Sequence, residues 1–143
     1  MPAVPIKRYP DPVRRQNILI VEDEMITALD LQSQLLGLGY AVSALASSGE
    51  EAVRLADETN PDLVIMDLKL AGNMNGIEAS KRIKEFKGTP VIYLTANPNL
   101  FLRTPNAMQP PCICIAKPFS LPDLRTVLDI ALNRRDSELQ PQC

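Results

Sequence analysis

Short, uninterrupted apolar runs alternate along this chain with longer stretches in which apolar residues recur every three or four positions. Leu63-Val64-Ile65-Met66 follows the turn residues Asn60-Pro61-Asp62 and ends at Asp67-Leu68. A short apolar run bounded in this way predicts a strand buried on both faces, as in a parallel sheet. The segments Asn17 to Val21, Tyr40 to Ala46, Val91 to Leu94 and Cys112 to Ala116 read the same way. Between them lie helical patterns. From Glu24 to Leu38, an apolar stripe of Met25, Ala28, Leu29, Leu35 and Leu36 predicts a helix that Gly37 and Gly39 bring to an end. Ser48 with Glu51 three residues on is a capping box. It opens a helix to about Glu58 with Ala52, Leu55 and Ala56 facing inward, closed by Asn60-Pro61. Asn75 with Glu78 opens a third helix to about Lys87, with Ile77, Ala79, Ile83 and Phe86 toward the sheet. Ser120 with Asp123 caps a last one, whose stripe is Leu121, Leu124, Leu128, Ala131 and Leu132.

The alternation falters between Thr95 and Lys117, where Pro98, Pro105, Pro110 and Pro111 interrupt any helix. A turn or two around Asn99 to Arg103, or an irregular loop, is expected in place of a full helix. Five strands alternating with helices predict an α/β domain, a doubly wound parallel sheet covered on both faces and joined by right-handed crossovers. Residues 1–15 carry four prolines and a basic excess, which predicts an irregular arm. The domain is expected over 16–135, and 136–143 form a polar tail.

Composition narrows the function classes. The 143 residues, 45% hydrophobic and 22% charged, suit one globular domain with a proper core. A net charge of −2 gives no general attraction for nucleic acid or an anionic membrane. No stretch approaches the ~20 apolar residues that span a bilayer, and the N-terminus lacks a secretory core. The cytoplasm is the expected compartment. Three cysteines without metal spacing argue against a disulfide framework or a zinc site, and the absence of histidine excludes histidine-based catalysis.

Polar groups gather where the strands end. Glu22 and Asp23 follow the first strand, Asp67 ends the third, Thr95 follows the fourth and Lys117 the fifth. Open α/β sheets place ligand crevices at that edge. Carboxylates forced together repel unless a cation sits among them, and a set of oxygen ligands suits Mg²⁺, with Mn²⁺ as a substitute. A hydroxyl and an ammonium complete what is needed to stabilise a phosphoryl group moving onto Asp67 as nucleophile. Singly, each residue has an ordinary reading as cap, strand residue or surface charge. Their joint occurrence at the ends of different strands carries the inference.

The sequence resembles the receiver domain of two-component response regulators over roughly Asn17 to Arg134. The resemblance rests on Ile18-Leu19-Ile20-Val21-Glu22-Asp23-Glu24, Val64-Ile65-Met66-Asp67-Leu68, Asn75-Gly76-Ile77-Glu78-Ala79, Pro90-Val91-Ile92-Tyr93-Leu94-Thr95-Ala96 and Ala116-Lys117-Pro118-Phe119. It implies a flavodoxin-like sheet of strand order 2-1-3-4-5. It implies Asp67 as acceptor of a phosphoryl group from a sensor histidine kinase or a phosphotransfer protein. Mg²⁺ would be held by Glu22 or Asp23, by Asp67 and by the backbone carbonyl of Lys69. Thr95 and Lys117 would contact the phosphoryl group, and the Lys117–Pro118 peptide would be cis. Lys69 and Asn97 are expected to influence the lifetime of the phosphorylated state.

One departure is plain. Receivers usually carry Tyr or Phe three residues before the lysine, as a switch that turns inward when the threonine moves; here that position is Cys114. Either the switch is weak, or Tyr93 or Phe101 takes its place. Receivers often dimerise or meet partners through the fourth helix and fifth strand, so a homodimer or a downstream protein is expected there. With no length for a DNA-binding helix pair after the last helix, a stand-alone receiver is expected, acting through protein contacts or as a phosphate sink; a fragment of a larger hybrid protein is the other reading. It is not expected to be a turnover enzyme. The competing class, a small metal-dependent phosphatase with Asp67 as nucleophile, would need an acid two residues on, where Lys69 stands.

Overall fold

The computed structural model describes residues 15–70, 74–96 and 113–133, and of Phe86, Lys87 and Asn133 only the backbone. In chain order the elements are β1 (Asn17–Val21), α1 (Met25–Gly37), β2 (Ala41–Ala46), α2 (Gly49–Thr59), β3 (Leu63–Asp67), α3 (Gly76–Lys87), β4 (Val91–Thr95), β5 (Ile113–Ala116) and α4 (Leu121–Asn133). The strands form one sheet in the order β2-β1-β3-β4-β5, every pair parallel. This is the doubly wound, flavodoxin-like arrangement expected from the sequence. Strand order reverses between β1 and β3, and the crevice lies past their carboxyl ends.

Alternation along each strand sorts the core into two layers. Ile18, Ile20, Leu63, Ile65, Ile92, Leu94, Ile113 and Ile115 pack with α1 and α4 on one face. Leu19, Val21, Val64, Met66, Val91 and Tyr93 pack with α2 and α3 on the other. Each fully buried aliphatic side chain stabilises the fold by roughly 1.5–3 kcal/mol. Asp62 fixes the start of the central pair: its carboxylate accepts from the Asn17 N–H at 2.7 Å, and its own N–H donates to the Asn17 carbonyl at 2.8 Å.

The helix starts follow local chemistry. Ser48 Oγ accepts from the Glu51 N–H at 3.1 Å, and the Glu51 carboxylate accepts from the N–H of Ser47 at 2.7 Å. Asn75 Oδ1 accepts from the Glu78 N–H at 2.9 Å. Ser120 and Asp123 cap one another reciprocally, at 3.1 and 3.3 Å. Asn60 ends α2 in the left-handed conformation, φ 48°. By contrast Glu24, which precedes α1, gives no side-chain cap.

Several helical faces differ from the sequence expectation. In α1 the buried stripe is Ala28, Leu31 and Leu35, whereas Met25, Leu29 and Leu36 are exposed, as is Ile26 at 85%. At 3.6 residues per turn, Met25, Leu29 and Leu36 form a second stripe about 100° round the helix from the buried one. Apolar periodicity alone merges the two. Leu121, in the first turn of α4, is likewise exposed, while Leu124, Leu128, Ala131 and Leu132 are buried. In α3 the buried residues include Ala79, Ser80 and Ile83; Ile77 is half-buried and the Phe86 side chain lies outside the described residues. The proline-rich segment, with Phe101, the N-terminal arm before residue 15 and the C-terminal tail, also lies outside them.

Candidate functional site

Three of the residues at the strand ends, Glu22, Asp67 and Lys117, come together because strand parity sends them the same way. Glu22 continues the series Ile18, Ile20; Asp67 continues Leu63, Ile65; Lys117 continues Ile113, Ile115, and all six apolar residues belong to one core layer. Lys117 Nζ donates to Glu22 Oε2 at 2.8 Å and to Asp67 Oδ2 at 2.9 Å, so a single ammonium bridges β1 and β3. The other Asp67 oxygen, Oδ1, accepts from the Lys69 N–H at 2.9 Å. Both oxygens of this buried carboxylate are therefore oriented. Glu22 Oε1 is held in turn by the Glu24 N–H at 3.2 Å. Lys117 is itself positioned by its own N–H, which donates to the Thr95 carbonyl at 2.8 Å. The Lys117–Pro118 peptide is cis.

Asp23 supplies the exposed member of the acidic group. One carboxylate oxygen from each of Glu22, Asp23 and Asp67 lies within 4.8 Å of the others. These hard donors, crowded at one edge of the sheet, fit a divalent cation of the Mg²⁺ class. The crowding registers on Glu22, whose carboxyl is pushed up to about 7 by burial and by the nearby Asp67 charge, against the pull of Lys117. On Lys117, burial pulls the ammonium down, but the hydrogen bonds and charges of Glu22 and Asp67 outweigh it and hold the group above its ordinary value.

A pH dependence follows for the metal-free protein. The unfolded chain releases the Glu22 proton near 4.5, whereas the folded protein holds it to about 7. Between these values the unfolded state loses its proton first, so stability falls as pH rises and levels off above about 7. The slope from this one group is at most on the order of 1 kcal/mol per pH unit. Urea unfolding in EDTA should show this fall in the wild type and a flatter profile in Glu22→Gln. Identical profiles for the two proteins would refute it.

Thr95 ends β4, is 4% exposed, and pairs with Ala116 of β5 beside Asp67 and Leu94. Lys69 is exposed, its N–H on Asp67 Oδ1. Cys114 is a free, half-buried thiol opposite Tyr93. Burial pushes that thiol up to about 11. Asn97 lies outside the described residues.

Two further residues matter that the sequence reading did not single out. Gly76 stands in the sequence as part of a helix start and of the segment Asn75-Gly76-Ile77-Glu78-Ala79 that carries the family resemblance, with no role of its own, yet it packs directly on the backbone of Asp67 and Leu68. Ser80 is wholly buried and meets the Tyr93 hydroxyl at 2.6 Å. A serine at an inward helical position gives no signal in sequence, because its small side chain reads equally well as surface. Gly76 could have been found: a glycine directly after a helix cap, so soon after the strand that carries Asp67, marks a close backbone approach.

The model of the response regulator receiver domain matches residues 18–129. The chain belongs to the response regulator receiver family. Among relatives of this receiver, phyllosphere-induced regulator PhyR of Methylorubrum extorquens is 37% identical over 80% of the chain and 43% of the relative. Transcriptional regulatory protein PdtaR of Mycobacterium tuberculosis is 37% identical over 83% of the chain and 58% of its own length. The chain thus spans about half the length of these relatives. Among solved structures, the receiver domain of sensor histidine kinase PA1611 from Pseudomonas aeruginosa has a TM-score of 0.72 at 30% identity. The match covers 84% of this chain and 99% of that one, which was solved with a magnesium ion coordinated in its active site cleft.

Proposed function

We propose that this receiver accepts a phosphoryl group on Asp67 from a phosphohistidine of a sensor kinase or a phosphotransfer protein, and passes the signal on through protein contacts. The observation that supports this best is the Asp67 carboxylate, buried, with one oxygen on Lys117 and the other on the Lys69 N–H, at the mouth of an acidic crevice. In the step, an Asp67 oxygen forms a bond to phosphorus as the bond from phosphorus to the donor ring nitrogen breaks. The electron pair goes to the imidazole. Lys117 is placed to follow the charge onto a phosphoryl oxygen, and Thr95, at the end of β4, is proposed to donate its hydroxyl to another. Glu22, Asp23, Asp67 and the Lys69 carbonyl would hold Mg²⁺, which neutralises phosphoryl charge when bound.

No acid stands two residues after Asp67, where a turnover phosphatase needs one to protonate its leaving group; Lys69 stands there instead. The receiver is therefore proposed not to be a turnover enzyme. Protein partners are supported by the exposed stripe of Met25, Leu29 and Leu36 with Ile26 beside it, on the helix that begins directly after Glu22 and Asp23. Among the described residues no helix is long and apolar enough to cross a membrane; we place the protein with its kinase in the cytoplasm.

Intact mass after incubation with acetyl phosphate tests the reading. The expected result is a gain of one phosphoryl group in Mg²⁺, none in EDTA and none in Asp67→Ala. A labelled Asp67→Ala variant would refute Asp67 as the acceptor.

A further inference from the structure

Tyr93 is the bulkiest of the fully buried side chains among the described residues. On β4 it lies two residues before Thr95, on the same side of the strand by alternation, and packs in the layer under α2 and α3. Its hydroxyl is 2.6 Å from Ser80 Oγ of α3. Ser80 has one hydroxyl hydrogen and gives it to the Ile77 carbonyl at 2.8 Å. Tyr93 is therefore the donor in the pair, and Ser80 the acceptor. One turn further along α3, Lys84 Nζ sits over the Tyr93 ring at 5.5 Å from its centroid. Two successive turns of α3 are thus fastened to one side chain of β4.

The same helix touches the other strand of the site. The N–H of Gly76 donates to the Leu68 carbonyl at 3.3 Å, and the Gly76 Cα rests against the Asp67 carbonyl. Ser80 lies four residues on, about 6 Å along the axis at 1.5 Å per residue. A shift in the Asp67–Leu68 backbone acts on the first turn of α3, and a shift in β4 acts on the second. Among the described residues no comparable tie runs through Cys114, whose thiol is small and packs on the same layer opposite Tyr93.

We infer that α3 is the helix that reports the state of Asp67, and that the Tyr93–Ser80 hydrogen bond is the link by which it follows the end of β4. The inference rests on Asp67 as the phosphoryl acceptor. Charging Asp67 displaces its loop and draws Thr95; because Tyr93 shares the strand with Thr95, the displacement reaches α3 through a buried bond instead of a swinging ring. The surface altered is the outer face of α3, where Glu78, Lys81, Arg82 and Glu85 are exposed.

Tyr93→Phe tests this while keeping the ring and its packing. Full-length wild type, Tyr93→Phe and Ser80→Ala would be treated with beryllofluoride and Mg²⁺, and hydrogen exchange followed separately over 63–70 and 76–87. Acetyl phosphate labelling, read by intact mass, runs in parallel. The expected result is a several-fold change in exchange over both segments in the wild type. Each variant should label to the wild-type extent and keep the response over 63–70, but lose it over 76–87. An unchanged α3 response in Tyr93→Phe or in Ser80→Ala overturns the inference, as does a labelled wild type whose α3 does not respond. Absence of labelling in the wild type overturns the acceptor reading, and this inference with it.

Discussion

Lys117→Met should cost the metal-free protein about 3 kcal/mol at pH 8, and Mg²⁺ should restore most of it. The wild-type ammonium lies 2.8 Å from Glu22 and 2.9 Å from Asp67, whose side chains are 0% and 10% exposed. Removing one partner of a buried ion pair leaves uncompensated charge and costs about 3–5 kcal/mol. The lower end applies because Lys117 is itself 21% exposed and water reaches its head group. Methionine retains much of the stem, so lost packing contributes little. At pH 6 the loss should shrink, since Glu22, already held up to about 7, titrates higher still without the ammonium that lowers it. A protonated Glu22 relieves the repulsion. Mg²⁺ should bind several-fold more tightly to the variant, because a competing cation has been removed. Phosphorylation should nevertheless fall by roughly 10²-fold or more, the usual result of deleting a group that stabilises charge in the transition state. Urea unfolding in EDTA and in Mg²⁺, with intact-mass kinetics, reads all three. Unchanged stability in EDTA, or weaker Mg²⁺ binding, would refute the electrostatic account.

The convergence of Glu22, Asp67 and Lys117 was legible in the sequence because it depends on parity. Apolar residues at every second position through Ile18-Ile20, Leu63-Ile65 and Ile113-Ile115 dictate that the next residues, Glu22, Asp67 and Lys117, face one way. Parallel pairing in the order β2-β1-β3-β4-β5 then brings them to one edge. The caps at Ser48, Asn75 and Ser120 were legible for a similar reason, since each is closed within a few residues of chain. What could not be read depends on distant partners. Met25, Leu29 and Leu36 have the spacing of a core stripe, and only the seating of α1 on β1 shows that Leu31 takes their place. Ser80 and Tyr93 are 13 residues apart, on different elements, and neither announces the other. The switch alternative at Tyr93 was named from the missing aromatic at Cys114, but that its ring is fixed to α3 emerges only from the packing.

Gly76→Ala should destabilise the domain by about 2 kcal/mol and slow phosphorylation of Asp67 by roughly 10²-fold. A Cβ at Gly76 would stand 2.3 Å from the Asp67 carbonyl oxygen, 3.0 Å from Leu68 Cα and 3.2 Å from the Asp67 carbonyl carbon. All three are backbone atoms, so no side chain can swing aside. Nor can α3 retreat easily. Met74, just before its cap, is wedged against Gly49 of α2, where an added Cβ would meet the Met74 carbonyl oxygen at 2.6 Å. Alanine favours a helix by up to ~1 kcal/mol over glycine, while overpacking of this kind typically costs about 1–3 kcal/mol and occasionally more. With backbone on both sides the steric cost wins. Gly37→Ala provides the opposite sign. It lies at the end of α1 with nothing among the described residues within 4 Å of the added methyl, and should stabilise by about 0.5 kcal/mol through the unfolded chain, leaving phosphorylation unchanged. The kinetic effect expected at Gly76 arises because the carbonyl under strain belongs to Asp67, the proposed acceptor. A displacement of even ~1 Å there misaligns the carboxylate for in-line attack, and such misplacement costs about 10²-fold. Urea midpoints and acetyl phosphate kinetics separate the two glycines. Wild-type behaviour of Gly76→Ala in both would mean that the Asp67 backbone yields without moving its carboxylate, and that contact between α3 and β3 does not set the acceptor.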